Sequence, residues 1–417
     1  MEQIVFILIL LLTLGIFSRS LLILKAKFDM TQSFAFDGQI LNRIKLTAKV
    51  ALGQTKILRK PFIGLMHALV FWGFMVITIG SVEMVIDGIF GWHRSFGSWG
   101  KVYDIISASG DVFAYIVLSG ILIFLVRRLT MHIARFAGKE ITKNNKVDAN
   151  IALSFILLLM VSLIGLNVYE VVLYQEEAIG FYPVSTSLAD MINSAHPIVM
   201  YKIFWWMHIL LIFFFANYLP YSKHFHVFMS LPNVFFSKLT PLTFFPALDA
   251  VTQEVKIMMS DNPYAADNQN EISRFGVKDV DDVTWKNYMD ALTCTQCGRC
   301  TEVCPASITG KQLSPRKIFV DLRRRMDEKH KLKTDDNALV GSYITHEELW
   351  ACTTCNACAQ ECPLNISHPN LILDMRRYLV LEEGQAPEEL NAMFANIENN
   401  GAPWKYSSED RLKWTEA

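Results

Sequence analysis

All eight cysteines of this 417-residue chain fall into two copies of one pattern. Cys294, Cys297, Cys300 and Cys304 read C-x2-C-x2-C-x3-C, closed by Pro305; Cys352, Cys355, Cys358 and Cys362 repeat it before Pro363. This is the ligand spacing of paired [4Fe–4S] clusters, in which the first three cysteines of a run hold one cluster and the fourth holds the other. The expectation is one cluster on Cys294, Cys297, Cys300 and Cys362, and a second on Cys352, Cys355, Cys358 and Cys304. Crossed ligation ties the two runs into one unit and brings the clusters close enough for fast electron exchange. Paired structural zinc sites are the alternative, but zinc rarely uses a three-cysteine run with a proline-linked fourth. No cysteine remains for a disulfide or a nucleophile.

The chain is 52% hydrophobic, and its apolar residues crowd into the first 250 positions. Stretches at 4–24, 62–86, 104–126, 150–173 and 199–220 are each long enough to cross a hydrocarbon core, which takes roughly 20 residues. The first lacks a basic leader and a small-residue cleavage site, so it reads as an uncleaved helix rather than a signal peptide. Basic residues crowd the loops at 25–61 and 127–148, whereas the other two loops hold only Arg94 and Lys101. Basic loops face the cytoplasm. The expected topology is therefore a multi-pass protein of the inner (cytoplasmic) membrane, N-terminus outside, with the cysteine-rich half in the cytoplasm, where thiols stay reduced. The segment 38–58 is apolar at helical spacing and reads as a membrane-surface helix, or else a solvated linker. A net charge of −1 points to no nucleic-acid partner.

Polar side chains within spans are costly and usually functional. His67 lies near the cytoplasmic end of the second span, His208 in the outer half of the fifth, and His226 just past its inner end. His208 and His226 are 18 residues apart, five helical turns or about 27 Å, so an unbroken helix would present both on one face. His224 would point nearly the opposite way. Haem b needs two axial ligands at matching depth; His67 with His226 is the preferred pair and His67 with His208 the rival. His132 could meet a quinone head group or lipid phosphates. Glu83 and Asp111 are deep enough to exchange quinone protons, while Asp87 and Asp104 are explained equally well by interfacial water.

Five helices with His67 in "GLMHALVFWGF" and the pair His208/His226 resemble the cytochrome b subunit of respiratory nitrate reductase and its relative in membrane-bound heterodisulfide reductase. The resemblance implies two haems b between helices two and five. That family's second histidine, ten residues after the first, is Ile77 here. His208 therefore lacks its expected partner, with Met75 and Met84 as substitutes, and the haem count becomes one, possibly two.

Helical patterns around the cysteines, such as "SPRKIFVDLRRRMDEKH" with a capping serine and "HPNLILDMRRYLVLEEG" ending at Gly384, resemble the all-α two-cluster subunit of heterodisulfide reductase. The whole chain thus resembles a fusion of the membrane and two-cluster subunits. The Cys-Cys pair found in that family's catalytic component does not occur. The expected fold is all-α: a five-helix transmembrane haem b domain (1–230), a connector (231–284), a cytoplasmic α-helical two-cluster ferredoxin domain (285–384) and a polar tail (385–417), read as a docking strand or as disordered. The expected role is electron transfer between a quinone or menaquinone pool and a soluble cytoplasmic redox partner, either a Cys-Cys-containing reductase or an electron-transferring flavoprotein. A redox sensor and a bare anchor without a quinone site are the alternatives.

Overall fold

The computed structural model describes residues 1–136, 138, 140–260, 274–332 and 336–416. Among these, the chain is helix and loop, with two isolated bridge pairs. Much of the polar connector read at 261–285 lies outside the described residues.

Five helices are long and apolar enough to cross a membrane: Glu2–Phe28, Pro61–Phe90, Lys101–Thr130, Lys143–Glu177 and Pro197–Tyr221. Their ends follow local chemistry. Proline begins the second and fifth, where its missing N–H costs nothing. Gly91, at φ +69°, stops the second in a left-handed cap. The Thr142 hydroxyl accepts from Asn145 N to start the fourth. The second to fifth spans pack in chain order, and the first lies against the second and fifth. A β-carbon on Gly73 would stand 2.5 Å from Val117, and one on Gly165 would stand 2.5 Å from Phe204. Small residues let these helices approach, as packing in lipid requires. Ile4, Leu8, Leu12 and Leu22 point away from the bundle, each more than 60% exposed, as lipid-facing residues do.

The fifth span differs from the sequence reading. Its regular helix stops at Tyr218; two short 3₁₀ turns follow, Leu219–Tyr221 and Lys223–Phe225, before a new helix, His226–Phe235. Pro220 sits in the first turn and Asp148 accepts from Lys223 N at 3.2 Å, which fixes the break. His208 and His226 therefore do not share one continuous helical face. The rings of His224 and His226, expected on opposite sides, lie 5.8 Å apart.

The second half packs around helices Trp285–Thr293, Pro315–Lys331 and His368–Leu381, with Phe319, Leu322, Met326, Leu371 and Met375 fully buried. A capping box of Thr284 and Asn287 starts the first of these. Ser314 precedes Pro315 as read, but it does not cap: its hydroxyl donates to Glu140, 2.7 Å away in the loop between the third and fourth spans. The segment 38–58 forms a short helix, Ile40–Thr47, that packs on His226–Phe235 through a buried Arg43 bonded to the Phe235 and Ser237 carbonyls. The tail forms a helix, Glu388–Asn400, and 3₁₀ turns at Ser408–Thr415, not a strand; Trp404 and Trp414 are exposed.

Candidate redox centres

The two cysteine runs share one backbone course. In each, the second and fourth positions after the first cysteine are left-handed: Gln296 and Gly298 (φ +59° and +75°), and Thr354 and Asn356 (φ +52° and +61°). A short helix follows, Arg299–Glu302 or Ala357–Glu361, and a cysteine–proline step closes it. Three non-glycine residues in so sparsely populated a region indicate a loop shaped for a ligand. The left-handed turn aims backbone N–H groups inward; Thr354 N donates to Cys352 Sγ at 3.4 Å. Such bonds tune a cluster's potential.

Cys304, Cys352, Cys355 and Cys358 line a single cavity with Pro305 and Ile372. On the other side, Cys300 lies within electrostatic reach of Cys294, Cys297 and Cys362, as well as of Cys358, and Cys362 within reach of Cys294 and Cys297. The structure thus gathers the cysteines in the crossed grouping. Among the described residues no three His, Cys, Asp or Glu side chains converge on a single-ion site. Burial, reinforced by neighbouring thiols, pushes Cys294 up to about 11 and Cys358 and Cys362 to about 12. Thiolates form here only where iron charge compensates, so cluster binding and thiol deprotonation are linked.

Two loops between spans seat on the two cysteine runs. Lys56 Nζ donates to the Cys362 carbonyl at 3.1 Å, Arg59 to the Gln360 carbonyl at 3.1 Å, and Arg299 reaches back to the Lys56 carbonyl at 3.1 Å. Arg316 donates to the Arg135 carbonyl at 2.5 Å and pairs with Glu140 at 2.7 Å. The group Cys294, Cys297, Cys300 and Cys362 is therefore next to the spans. The other group is distal, and its Cys355 is exposed.

His67 lies at this junction, within electrostatic reach of both His226 and Arg299. Its Nδ1 is buried without a hydrogen-bond partner. The Nδ1 of His226 bonds to the Lys223 carbonyl at 3.3 Å, which leaves its Nε2 outside that bond. His208, 1% exposed, sits mid-way along the fifth span. Its Nδ1 bonds to the Leu159 carbonyl (3.1 Å) and Ser162 (2.8 Å) on the fourth span. Ile77 packs in an apolar cluster with Val117 and Ile121. Met75 is exposed on the lipid-facing surface, and Met84 is packed beside Ile209.

The buried carboxylates divide by role. Asp111 accepts from Val184 N, Ser185 N, the Ser185 hydroxyl and Asn167, all within 3.2 Å, so it anchors the loop before the fifth span. Asp87 accepts from Arg94 N and Ser95 N; Glu83 accepts from Phe96 N and Tyr103. His132 is exposed. Sequence reasoning missed Glu170, whose side chain is fully buried and pairs with His93 at 3.2 Å. Its signal was a lone carboxylate inside the apolar fourth span.

Residues 293–366 match the family described as a 4Fe-4S dicluster domain. The chain is 26% identical to "Probable iron-sulfur-binding oxidoreductase FadF" of Bacillus subtilis, over 93% of this chain and 57% of that protein. It is 26% identical to EtfAB:quinone oxidoreductase of Syntrophomonas wolfei, over 87% of this chain and 52% of that protein. Its cysteine half is 36% identical to one component of a CoB-CoM heterodisulfide reductase of Methanosarcina acetivorans, over 24% of this chain and 53% of that protein. The chain spans about half the length of these relatives. No solved structure matches. The chain therefore carries a 4Fe-4S dicluster domain and five helices long and apolar enough to cross a membrane, and is homologous to iron–sulfur oxidoreductases and heterodisulfide reductase subunits.

Proposed function

We propose that the chain is a membrane-anchored conduit passing electrons between a quinone or menaquinone pool, haem b and two [4Fe–4S] clusters, to or from a soluble cytoplasmic redox partner. Cys294, Cys297, Cys300 and Cys362 hold the span-proximal cluster; Cys352, Cys355, Cys358 and Cys304 hold the distal one. His67 and His226 are the residues that would hold haem b, which would supply one-electron carriage at the membrane face. The cluster half lies in the cytoplasm and the N-terminus outside, on the balance of basic residues in the loops.

The observation that carries this reading is the junction. His67 lies within electrostatic reach of His226 and of Arg299, which stands between Cys297 and Cys300 and is bonded to the second span's leading loop. Protein groups there fix spacing and electrostatics, and the cofactors carry the redox chemistry. At the other end Cys355 is exposed, which supports access of a partner to the distal site. An electron-transferring flavoprotein or a Cys-Cys-containing reductase fits that role, in keeping with the names of the relatives.

The test is reoxidation. Clusters of the full chain in lipid nanodiscs are reduced with dithionite, menaquinone-4 is supplied, and cluster absorbance is followed. Wild type reoxidises within a catalytic turnover time, and His67→Ala slows the reaction at least a hundredfold with both clusters retained. Equal rates in the two proteins remove haem at His67 from the path.

A further inference from the structure

We propose that a cavity at the end of the spans remote from the cysteines binds the quinone head group, with His93 and Arg94 in its polar lining and Glu170 paired behind both. This rests on the quinone-linked reading above and gives it a place.

The cavity is about 210 Å³ and lies between the first, second, fourth and fifth spans. Trp92, Trp205, Trp206 and Leu166 line it, with His93 and Arg94 at its polar end. Pockets for drug-sized ligands run from roughly 300 Å³; this one suits a flat ring system whose tail stays in lipid. Indole rings provide the apolar walls such a ring needs.

The polar end is built. Arg94 has a left-handed backbone, φ +51°, which a non-glycine residue holds only when its surroundings enforce it. Here Asp87 accepts from Arg94 N at 2.9 Å and from Ser95 N at 3.1 Å, and Glu83 accepts from Phe96 N at 2.9 Å. Two carboxylates of the second span thus fix the loop that aims the guanidinium. The Arg94 side chain is only 10% exposed, yet its Nε and Nη2 have no hydrogen-bond acceptor. Glu83 at 3.8 Å and Glu170 at 3.6 Å balance its charge from beyond hydrogen-bond distance. Glu170, fully buried, likewise has an oxygen, Oε1, that receives no hydrogen bond. Purely structural ion clusters satisfy their polar atoms, as Asp111 does; these unfilled positions call for a ligand that both accepts and donates. A quinone carbonyl accepts from Arg94, and a quinol hydroxyl donates.

His93 connects the cluster to water. Its side chain is 36% exposed and bonds to Glu170, with Tyr174 and Tyr201 against its ring. Reduction of one quinone takes two electrons from the cysteine side and two protons through His93 and Glu170, giving the quinol; oxidation reverses every step. From Trp205 to Tyr218, thirteen residues of helix span about 20 Å. Electrons and protons therefore reach the cavity from opposite sides of the membrane. His208, one turn from Trp205 on the same helix, stands along the electron's route.

Menadione, a head group without a tail, is titrated calorimetrically into the full, cluster-loaded chain in detergent. Glu170→Gln and Trp92→Ala are compared with wild type. Trp92 is 59% exposed at the rim, so its removal leaves the fold intact. Both variants are expected to weaken binding at least tenfold at unchanged iron content. If menadione binds both as tightly as wild type, while menaquinone-4 still reoxidises the wild-type clusters, the head group sits elsewhere and only this proposal is overturned. If menaquinone-4 leaves the wild-type clusters reduced, the quinone-linked reading fails and the proposal with it.

Discussion

Removing Glu140 should loosen the cluster half from the spans. Glu140 and Arg316 are 4% and 1% exposed, and Arg316 donates to Glu140 Oε1 through Nη2 at 2.7 Å and Nε at 2.8 Å. Taking one partner from a buried pair costs roughly 3–5 kcal/mol, because the other charge is left uncompensated. In Glu140→Ala the guanidinium keeps its bond to the Arg135 carbonyl, so the low end, about 3 kcal/mol, applies. That is on the order of a hundredfold in the docking equilibrium. Hydrogen exchange of the amides at 296–302 in the cluster-loaded protein should accelerate by that factor. Acid gives an independent check. Burial raises the Glu140 pKa, but Ser314 and Arg316 outweigh it and hold the carboxyl below its ordinary 4.5. A depressed folded pKa means the contribution is complete above pH 4.5 and is lost as pH falls through the folded value. Exchange should quicken on that acid side in wild type and not in Glu140→Gln. Protection within threefold of wild type in Glu140→Ala would refute the idea that this pair clamps the two halves.

Cys362→Ser should disturb the electron paramagnetic resonance signal of the cluster held by Cys294, Cys297 and Cys300; loss of the other signal alone would make the crossed ligation wrong. Asp111→Ala, which strips four hydrogen bonds from one carboxylate, should destabilise the protein by about 2–4 kcal/mol in thermal unfolding without slowing menaquinone-4 reduction at low temperature. A slowed reaction in stable protein would restore Asp111 as a proton carrier. Lys56→Ala, which frees the Cys362 carbonyl, should speed chelator-driven iron loss several-fold; an unchanged rate would show that this contact does not shield the proximal site.

The five spans were legible because crossing lipid demands a long apolar run, a signal carried by consecutive residues. The two-cluster domain was legible because ligand spacing is carried by nearby residues. What failed depended on contacts distant in sequence. Extrapolating helix phase from His208 to His226 ignored Asp148, which caps the broken turn at Lys223 from 75 positions away. Lys56, Arg59 and Lys60 counted only as topology markers, yet they grip the helices of the cysteine runs. Ser314 has a capping residue's place and another function, because Glu140 lies nearer to hand. Arg94 looked like a stray charge in a far loop; only the fold puts Glu83, Glu170 and the tryptophans around it.

The most direct test is the cofactor content of the purified protein, by pyridine haemochrome and elemental iron, in wild type and His67→Ala. Wild type should carry haem b alongside about eight non-haem irons per chain. The variant should keep the same non-haem iron and lose the His67/His226 haem. Wild-type protein with full clusters and no haem, or a variant with undiminished haem, would contradict a conduit that runs through these histidines.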